Sequence, residues 1–134
     1  MKALTLIGIA TGALALTACS TRMENDNTMS KAPAATVVGE ARSCIPVNQI
    51  SSSRVHDDRT IDFKVGRQTY RNTLPQRCSG LGYDKAFSYK TSLSQLCNTD
   101  IIRVLHQVAG SYQEGAGCGL GQFVPIEYDK STKG

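Results

Sequence analysis

Five cysteines, two histidines and one pair of adjacent aspartates are the side chains from which chemistry would be built: Cys19, Cys44, Cys78, Cys97, Cys118, His56, His106, Asp57 and Asp58. Thiolate metal and redox sites need close cysteines, as in C-x-x-C, because both sulfurs must reach one ion or each other. The last four cysteines here are separated by 34, 19 and 21 residues, and neither histidine falls in a ligand spacing such as H-E-x-x-H. A nucleophile set of Cys97, His106 and Asp100 can be drawn, but an exported chain places such a cysteine in a disulfide. Asp57-Asp58 suits a loop, where aspartates accept hydrogen bonds from nearby amides. Arg59 and Ile61 do not supply the alternating oxygen ligands of a calcium loop. Ser51-Ser52-Ser53 lacks the G-x-S-x-G setting of a strand-to-helix nucleophile. The run from Gly115 to Gly121 fails as a phosphate loop, since Leu120 stands where G-x-G-x-x-G requires glycine. Its glycines read instead as letting the chain turn around Cys118. No catalytic residue, metal or cofactor is expected, although His56, Asp57, Asn72 and Asp100 converging in one concave site would favour an enzyme.

Charge is the other source of function. Residues 43–128 hold nine Lys or Arg and seven Asp or Glu, a net of plus two. A nucleic-acid surface needs a concentrated basic face with interleaved aromatics, so that class of partner is excluded. Arg67, Arg71 and Arg77 are candidate surface contacts to an acidic partner or lipid headgroup. The plainer reading of them is a solvated face partly neutralised by Asp62.

The elements that must position these groups begin with the N-terminus. Met1 and Lys2 precede an apolar, uncharged run from Ala3 to Leu16, closed by Leu16-Thr17-Ala18-Cys19. About 14 apolar residues are too few for a permanent span of a bilayer, and the arrangement is that of a secretory signal. The tetrapeptide resembles the lipobox of bacterial lipoproteins, which implies cleavage before Cys19 and a diacylglycerol on its thiol. Parity agrees: lipidating Cys19 turns five cysteines into four that can pair. Two or more acyl chains give stable anchoring where one does not. By the same resemblance, Ser20 after the modified cysteine implies the periplasmic face of the outer membrane in a Gram-negative host.

Four parts follow: a signal peptide over 1–18, a lipidated flexible tether over 19–42, a domain over 43–128 and a disordered tail over 129–134. The tether carries polar residues and Pro33 without apolar periodicity. The domain has about 86 residues, marginal for stability by burial alone, and the whole chain has three Phe, five Tyr and no Trp. Two disulfides among Cys44, Cys78, Cys97 and Cys118 are therefore expected in an oxidising compartment. Three connectivities are open; pairing Cys78 with Cys97 and Cys44 with Cys118 would join the start of the domain to its end.

Thr60 to Leu74 reads as a hairpin, because Ile61, Phe63 and Val65 alternate with Asp62 and Lys64 before Gly66-Arg67 interrupts. Glycine first in a two-residue loop predicts a type II′ turn. Counting outward pairs Val65 with Gln68, Phe63 with Tyr70 and Asp62 with Arg71. A three-residue loop at 57–59 would set Val55 opposite Ile61 and Arg54 opposite Asp62, making a three-stranded meander. Residues 86–91 and 122–127 read as further strands, with Pro125 suggesting an edge. The stretch 93–108 fits either a helical face or a strand; its β-branched residues Ile101, Ile102 and Val104 favour a strand over 100–106. Residues 75–78 fit one helical turn. The fold class expected is mainly β: a small antiparallel sandwich or partly open barrel with one or two short helical turns, stapled by two disulfides.

These pieces together resemble a family of small proteobacterial envelope lipoproteins classed as a domain of unknown function. The resemblance lies in Cys44-Ile45, the VHDDRT segment from Val55 to Thr60, Phe63, Tyr70 to Leu74, Arg77 to Leu81, Phe87 to Tyr89, Leu96-Cys97, Asp100-Ile101 and Cys118 to Phe123. It implies a cysteine-bearing envelope lipoprotein and carries no catalytic residues. The function expected is a non-enzymatic binding or structural module, held to the membrane by its lipid and meeting an envelope protein or cell-wall component. The alternatives are a periplasmic inhibitor of a lysozyme-type hydrolase and an uncharacterised small enzyme.

Overall fold

The computed structural model describes residues 30–91 and 93–130. Its strands are β1 (Ala35–Val37), β2 (Cys44–Pro46), β3 (Ile50–Val55), β4 (Thr60–Val65), β5 (Gln68–Thr73), β6 (Phe87–Tyr89), β7 (Gln95–Cys97), β8 (Ile101–Val108), β9 (Ser111–Gly119) and β10 (Phe123–Tyr128). One short helix, α1 (Leu81–Asp84), lies between β5 and β6. The fold is mainly β, with antiparallel sheets, no closed barrel and two disulfides. The expected signal peptide over 1–18 and the expected lipidation of Cys19 fall outside the described residues, as do 131–134.

A five-stranded sheet in the order β1-β10-β5-β4-β3 faces a three-stranded sheet in the order β6-β8-β9, and β2 pairs with β7. The hairpin has the predicted register throughout, with Val65 opposite Gln68, Phe63 opposite Tyr70 and Asp62 opposite Arg71. Gly66 has a φ of 60°, as the first residue of a type II′ turn requires. The meander is also as read: Val55 faces Ile61 and Arg54 faces Asp62. The strand reading of 100–106 holds, with β8 running two residues further.

Strand alternation then divides the large sheet into two chemically different faces. Ile61, Phe63, Tyr70 and Phe123 point inward with Ile102 and Val104 of the small sheet, forming one buried cluster. Phe63 sits at its centre, edge-on to Phe123 at 5.6 Å and to Phe87 of the small sheet at 6.0 Å. Such T-shaped pairs add about 0.5–1.5 kcal/mol each beyond area burial.

Five expectations are corrected. The disulfides are Cys44–Cys97 and Cys78–Cys118, not Cys78 with Cys97 and Cys44 with Cys118, because β2 and β7 pair antiparallel with Cys44 directly opposite Cys97. The part of the expected tether from 35 to 42 belongs to the fold: β1 adds to the sheet beside β10 and Arg42 bridges Phe123. Pro125 is not on the sheet edge, since β1 lies outside β10. Its carbonyl accepts from the Val38 amide at 3.0 Å, so its nitrogen faces that same side, just beyond the last β1 pair, where no donor is needed. Residues 75–78 make no helical turn; the Cys78 amide is drawn to the Asp58 carbonyl at 2.8 Å, and the helix begins after Gly80, whose φ is 87°. Finally, Gly115, Gly117 and Gly119 do not turn the chain at Cys118 but lie within β9. There the absence of a Cβ makes room for neighbours: one at Gly115 would collide with His106, and one at Gly117 would stand 3.2 Å from Ile101.

Candidate functional site

The outer face of the large sheet carries the densest polar cluster, centred on Asp62. Although only 3% exposed, its carboxylate accepts four hydrogen bonds. Arg71 donates from Nε at 2.9 Å and from Nη2 at 3.0 Å, His56 Nε2 lies at 2.8 Å, and Tyr128 Oη donates at 2.6 Å. Burial by itself pushes the Asp62 carboxyl up, but the bonds from Arg71 and Tyr128, the Arg71 charge and the His56 bond outweigh it and hold the group below its ordinary value. Burial of the phenol, with its bond to the same carboxylate, pushes Tyr128 up to about 12. An ionised Asp62 can only accept, so His56 carries its proton on Nε2. Arg71 is further pinned by the Pro33 carbonyl at 3.0 Å.

Two residues away, the 57–59 loop consumes both of its aspartates structurally. Asp57 accepts from the amides of Arg59 and Lys31 and from the Ser30 hydroxyl. Asp58 accepts from the Gly82 amide at 2.8 Å and from Arg77 Nε at 2.8 Å. Both carboxyls are raised by burial and lowered further by these bonds, ending below their ordinary values. Arg59 donates to the carbonyls of Leu74 and Pro75. The loop therefore ties together the N-terminal segment, the end of β5 and the start of α1. A Cβ on Gly82 would stand 3.0 Å from the Asp57 and Asp58 backbone, which is how closely the helix approaches.

The second histidine is used the same way. His106 Nδ1 meets Asp84 Oδ2 at 2.6 Å, joining the C-terminus of α1 to β8, while its ring lies over Gly115. Asn72 points into the core from β5, bonded through both amide atoms to the Gly121 backbone. Asp100 accepts from the Cys97 amide at 2.7 Å and caps the turn before β8. His56, Asp57, Asn72 and Asp100 therefore do not converge. Cys97, His106 and Asp100 form no nucleophile set either, since Cys97 is oxidised and Asp84 holds His106. Among the described residues, no group of three or more His, Cys, Asp or Glu is placed to hold a metal ion, and no helix is long and apolar enough to cross a membrane.

The three arginines are not brought together. Arg67 lies in the Gly66-Arg67 turn and Arg77 beyond the far end of β5, roughly 20 Å of strand away. Arg71, between them, is committed to Asp62. A cationic surface does exist, built from residues the sequence did not single out. Lys31, Ser53, Arg54, Val55, His56 and Lys85 line an open cleft of about 460 Å³. It gathers Lys31 from the N-terminal segment, Arg54 and His56 from around the end of β3, and Lys85 from the C-cap of α1. Periodicity could place Arg54 on the outer face, but nothing local in the sequence signals that residues 31 and 85 lie beside it.

A second exposed feature is the β8–β9 hairpin. Its turn residues Ala109 and Gly110 both have positive φ, 50° and 84°, and Val108 and Tyr112 beside them are exposed. β9 is one of the two outer strands of its sheet. No family model, no curated protein and no solved structure matches this chain.

Proposed function

We infer that the protein is a lipid-anchored, non-enzymatic binding module of the cell envelope, held through Cys19 and presenting its β8–β9 hairpin to an envelope protein or cell-wall component. The observation that carries this reading is the commitment of the acid–base groups. Each histidine faces one carboxylate that also fixes an element of the fold, and Asp57, Asp58 and Asp100 are filled by backbone amides. What the domain leaves open among the described residues is surface: an exposed hairpin flanked by Val108 and Tyr112, and an outer strand edge along β9. Exposed strand edges of this kind accept partner strands. The resemblance to small proteobacterial envelope lipoproteins and the lipobox-like Leu16 to Cys19 segment support the compartment, on the periplasmic face of the outer membrane.

The test is a photo-crosslinking residue in place of Tyr112 in the producing cell. One reproducible adduct with an envelope component is expected; repeated crosslinking that yields none removes the reading. The intact mass of the membrane-extracted protein checks the anchor separately, through acyl chains on residue 19.

A second reading, inhibition of a lysozyme-type hydrolase, is favoured by the same hairpin, since an exposed two-residue turn is a shape that enters an enzyme cleft. It predicts inhibition of muramidase activity that is lost when the 108–112 turn is replaced by a Ser-Gly-rich loop. No inhibition by the intact protein eliminates it.

A further inference from the structure

We propose that the cleft between the end of β3 and α1 docks the anionic phosphate headgroup of the membrane lipid to which the chain is tethered. This rests on the lipid-anchored module inferred above and assigns that module a second, headgroup-specific contact with its own membrane.

Three strands of observation meet in the cleft. Lys31, Arg54 and Lys85 are exposed around one opening, and among the described residues none of them has an ion-pair partner. Each is delivered there by constraint. Lys31 is clipped to the 57–59 loop by its own amide on Asp57 at 3.1 Å. Lys85 closes α1 in a left-handed conformation, φ 53°, on a helix bolted to Asp58 and His106. Like charges gathered without counter-ions raise the energy of the empty cleft, and a bound anion relieves it. The nearby carboxylates offset this charge only in part: Asp57 keeps its charge but turns it to two amides and the Ser30 hydroxyl, and the charge of Asp62 is balanced by Arg71.

Chain length selects the lipid as the source of that anion. Twelve residues separate Cys19 from Lys31, so a fully extended chain spans at most about 40 Å between them. The cleft therefore lies within about 40 Å of the anchored residue, a distance over which it can reach the membrane surface. Tyr83, 91% exposed on α1 two residues before Lys85, is the amphipathic side chain that suits a headgroup boundary.

The test uses the full chain extracted from membranes in neutral-detergent micelles, titrated with dihexanoyl-phosphatidylglycerol, dihexanoyl-phosphatidylcholine or inorganic phosphate while amide NMR shifts are followed. Saturable shifts at Arg54, His56 and Lys85 are expected with phosphatidylglycerol, and much weaker ones with the other two. Arg54→Gln combined with Lys85→Gln lowers that affinity by about 30-fold, whereas Arg67→Gln leaves it unchanged. Lys31→Gln, a single exposed change that spares the fold, lowers it by about 5-fold. Equal responses to the two lipids, inorganic phosphate binding as tightly as phosphatidylglycerol, or charge variants without effect would each overturn the proposal. A sample whose mass shows no acyl chains at Cys19 overturns the anchor reading and, with it, the tethered membrane as the source of the lipid, whereas an acylated sample whose cleft does not prefer phosphatidylglycerol overturns the headgroup site alone.

Discussion

Tyr128 and Asp62 stand 66 residues apart in the chain, yet the phenol donates to the carboxylate at 2.6 Å across the intervening strand β5. The bond passes over Arg71, whose guanidinium lies 6.0 Å from the centre of the Tyr128 ring and itself grips Asp62. The last strand of the domain is thereby fastened to the first hairpin. Tyr128→Phe is expected to cost about 1.5–3 kcal/mol, the range for a hydrogen bond to a charged acceptor. Its effect should be strongly non-additive with Asp62→Asn in a double-mutant cycle followed by urea denaturation; additive effects would show that the two groups are not coupled.

Alkali tests the same bond. With burial and the Asp62 carboxylate pushing the folded phenol up to about 12 from its ordinary 10, Tyr128 binds its proton more tightly folded than unfolded. Its contribution is then complete below pH 10 and lost as the pH rises toward 12. Absorbance at 295 nm should show a late-ionising phase from Tyr128, and that contribution should be missing from Tyr128→Phe.

Acid works in the opposite sense. Asp57, Asp58 and Asp62 all have folded values below their ordinary ones, so they stabilise the fold above the unfolded carboxylate range near pH 4. That stability falls as the pH drops through the lower folded values. Denaturation midpoints should be flat from pH 7 to about pH 4.5 and decline below it. Asp62→Asn should lower the plateau by about 3 kcal/mol, by leaving Arg71 partly buried without its counter-charge, and should make the acid decline shallower. A decline as steep as that of the unaltered protein would mean that Asp62 does not contribute to it.

The disulfide pattern is open to a direct mapping. Trypsin separates the four cysteines into the fragments 43–54, 78–85, 91–103 and 104–130. Under non-reducing conditions, 43–54 should travel with 91–103, and 78–85 with 104–130. The links close chain separations of 53 and 40 residues. In the loop-entropy account each contributes about 4 kcal/mol, much of a small domain's total. Reduction should therefore unfold the domain at 37 °C, and a reduced form with native stability would contradict that share.

What the sequence disclosed was governed by distance along the chain. The 60–74 hairpin and its meander were legible residue by residue because a two-residue turn fixes the register and alternation fixes the face. That register also put Arg71 against Asp62. The strand at 101–108 was visible from its β-branched residues. Pairings over long separations left no local trace: β2 and β7 are three-residue strands, too short for a periodic signal, and only their contact in space sets Cys44 against Cys97. For the same reason Tyr128 was not identified as a partner of Asp62, nor Asp84 of His106, nor Lys31 and Lys85 as neighbours of Arg54. The glycines of β9 carry no local sign of their role because glycine serves both turns and close approach, and only the facing residues, His106 and Ile101, show which applies.

Asn72 and Gly121 give the sharpest test of the core. Asn72 is fully buried; its Oδ1 accepts from the Gly121 amide at 2.8 Å and its Nδ2 donates to the Gly121 carbonyl at 2.7 Å. One side chain thus satisfies both backbone groups of a residue that approaches β5 so closely that a Cβ would collide with the Thr73 carbonyl. Asn72→Leu should cost about 2–5 kcal/mol, since both Gly121 groups lose their partners in a dry interior. Gly121→Ala should cost a similar amount by another route, because backbone must move on one side or the other. The two losses should not add: once either is in place, the junction between β5 and the 120–122 segment has already separated, and the second change finds little left to break. Urea denaturation of the two single variants and the double variant decides it, and full additivity would mean that the two residues act independently.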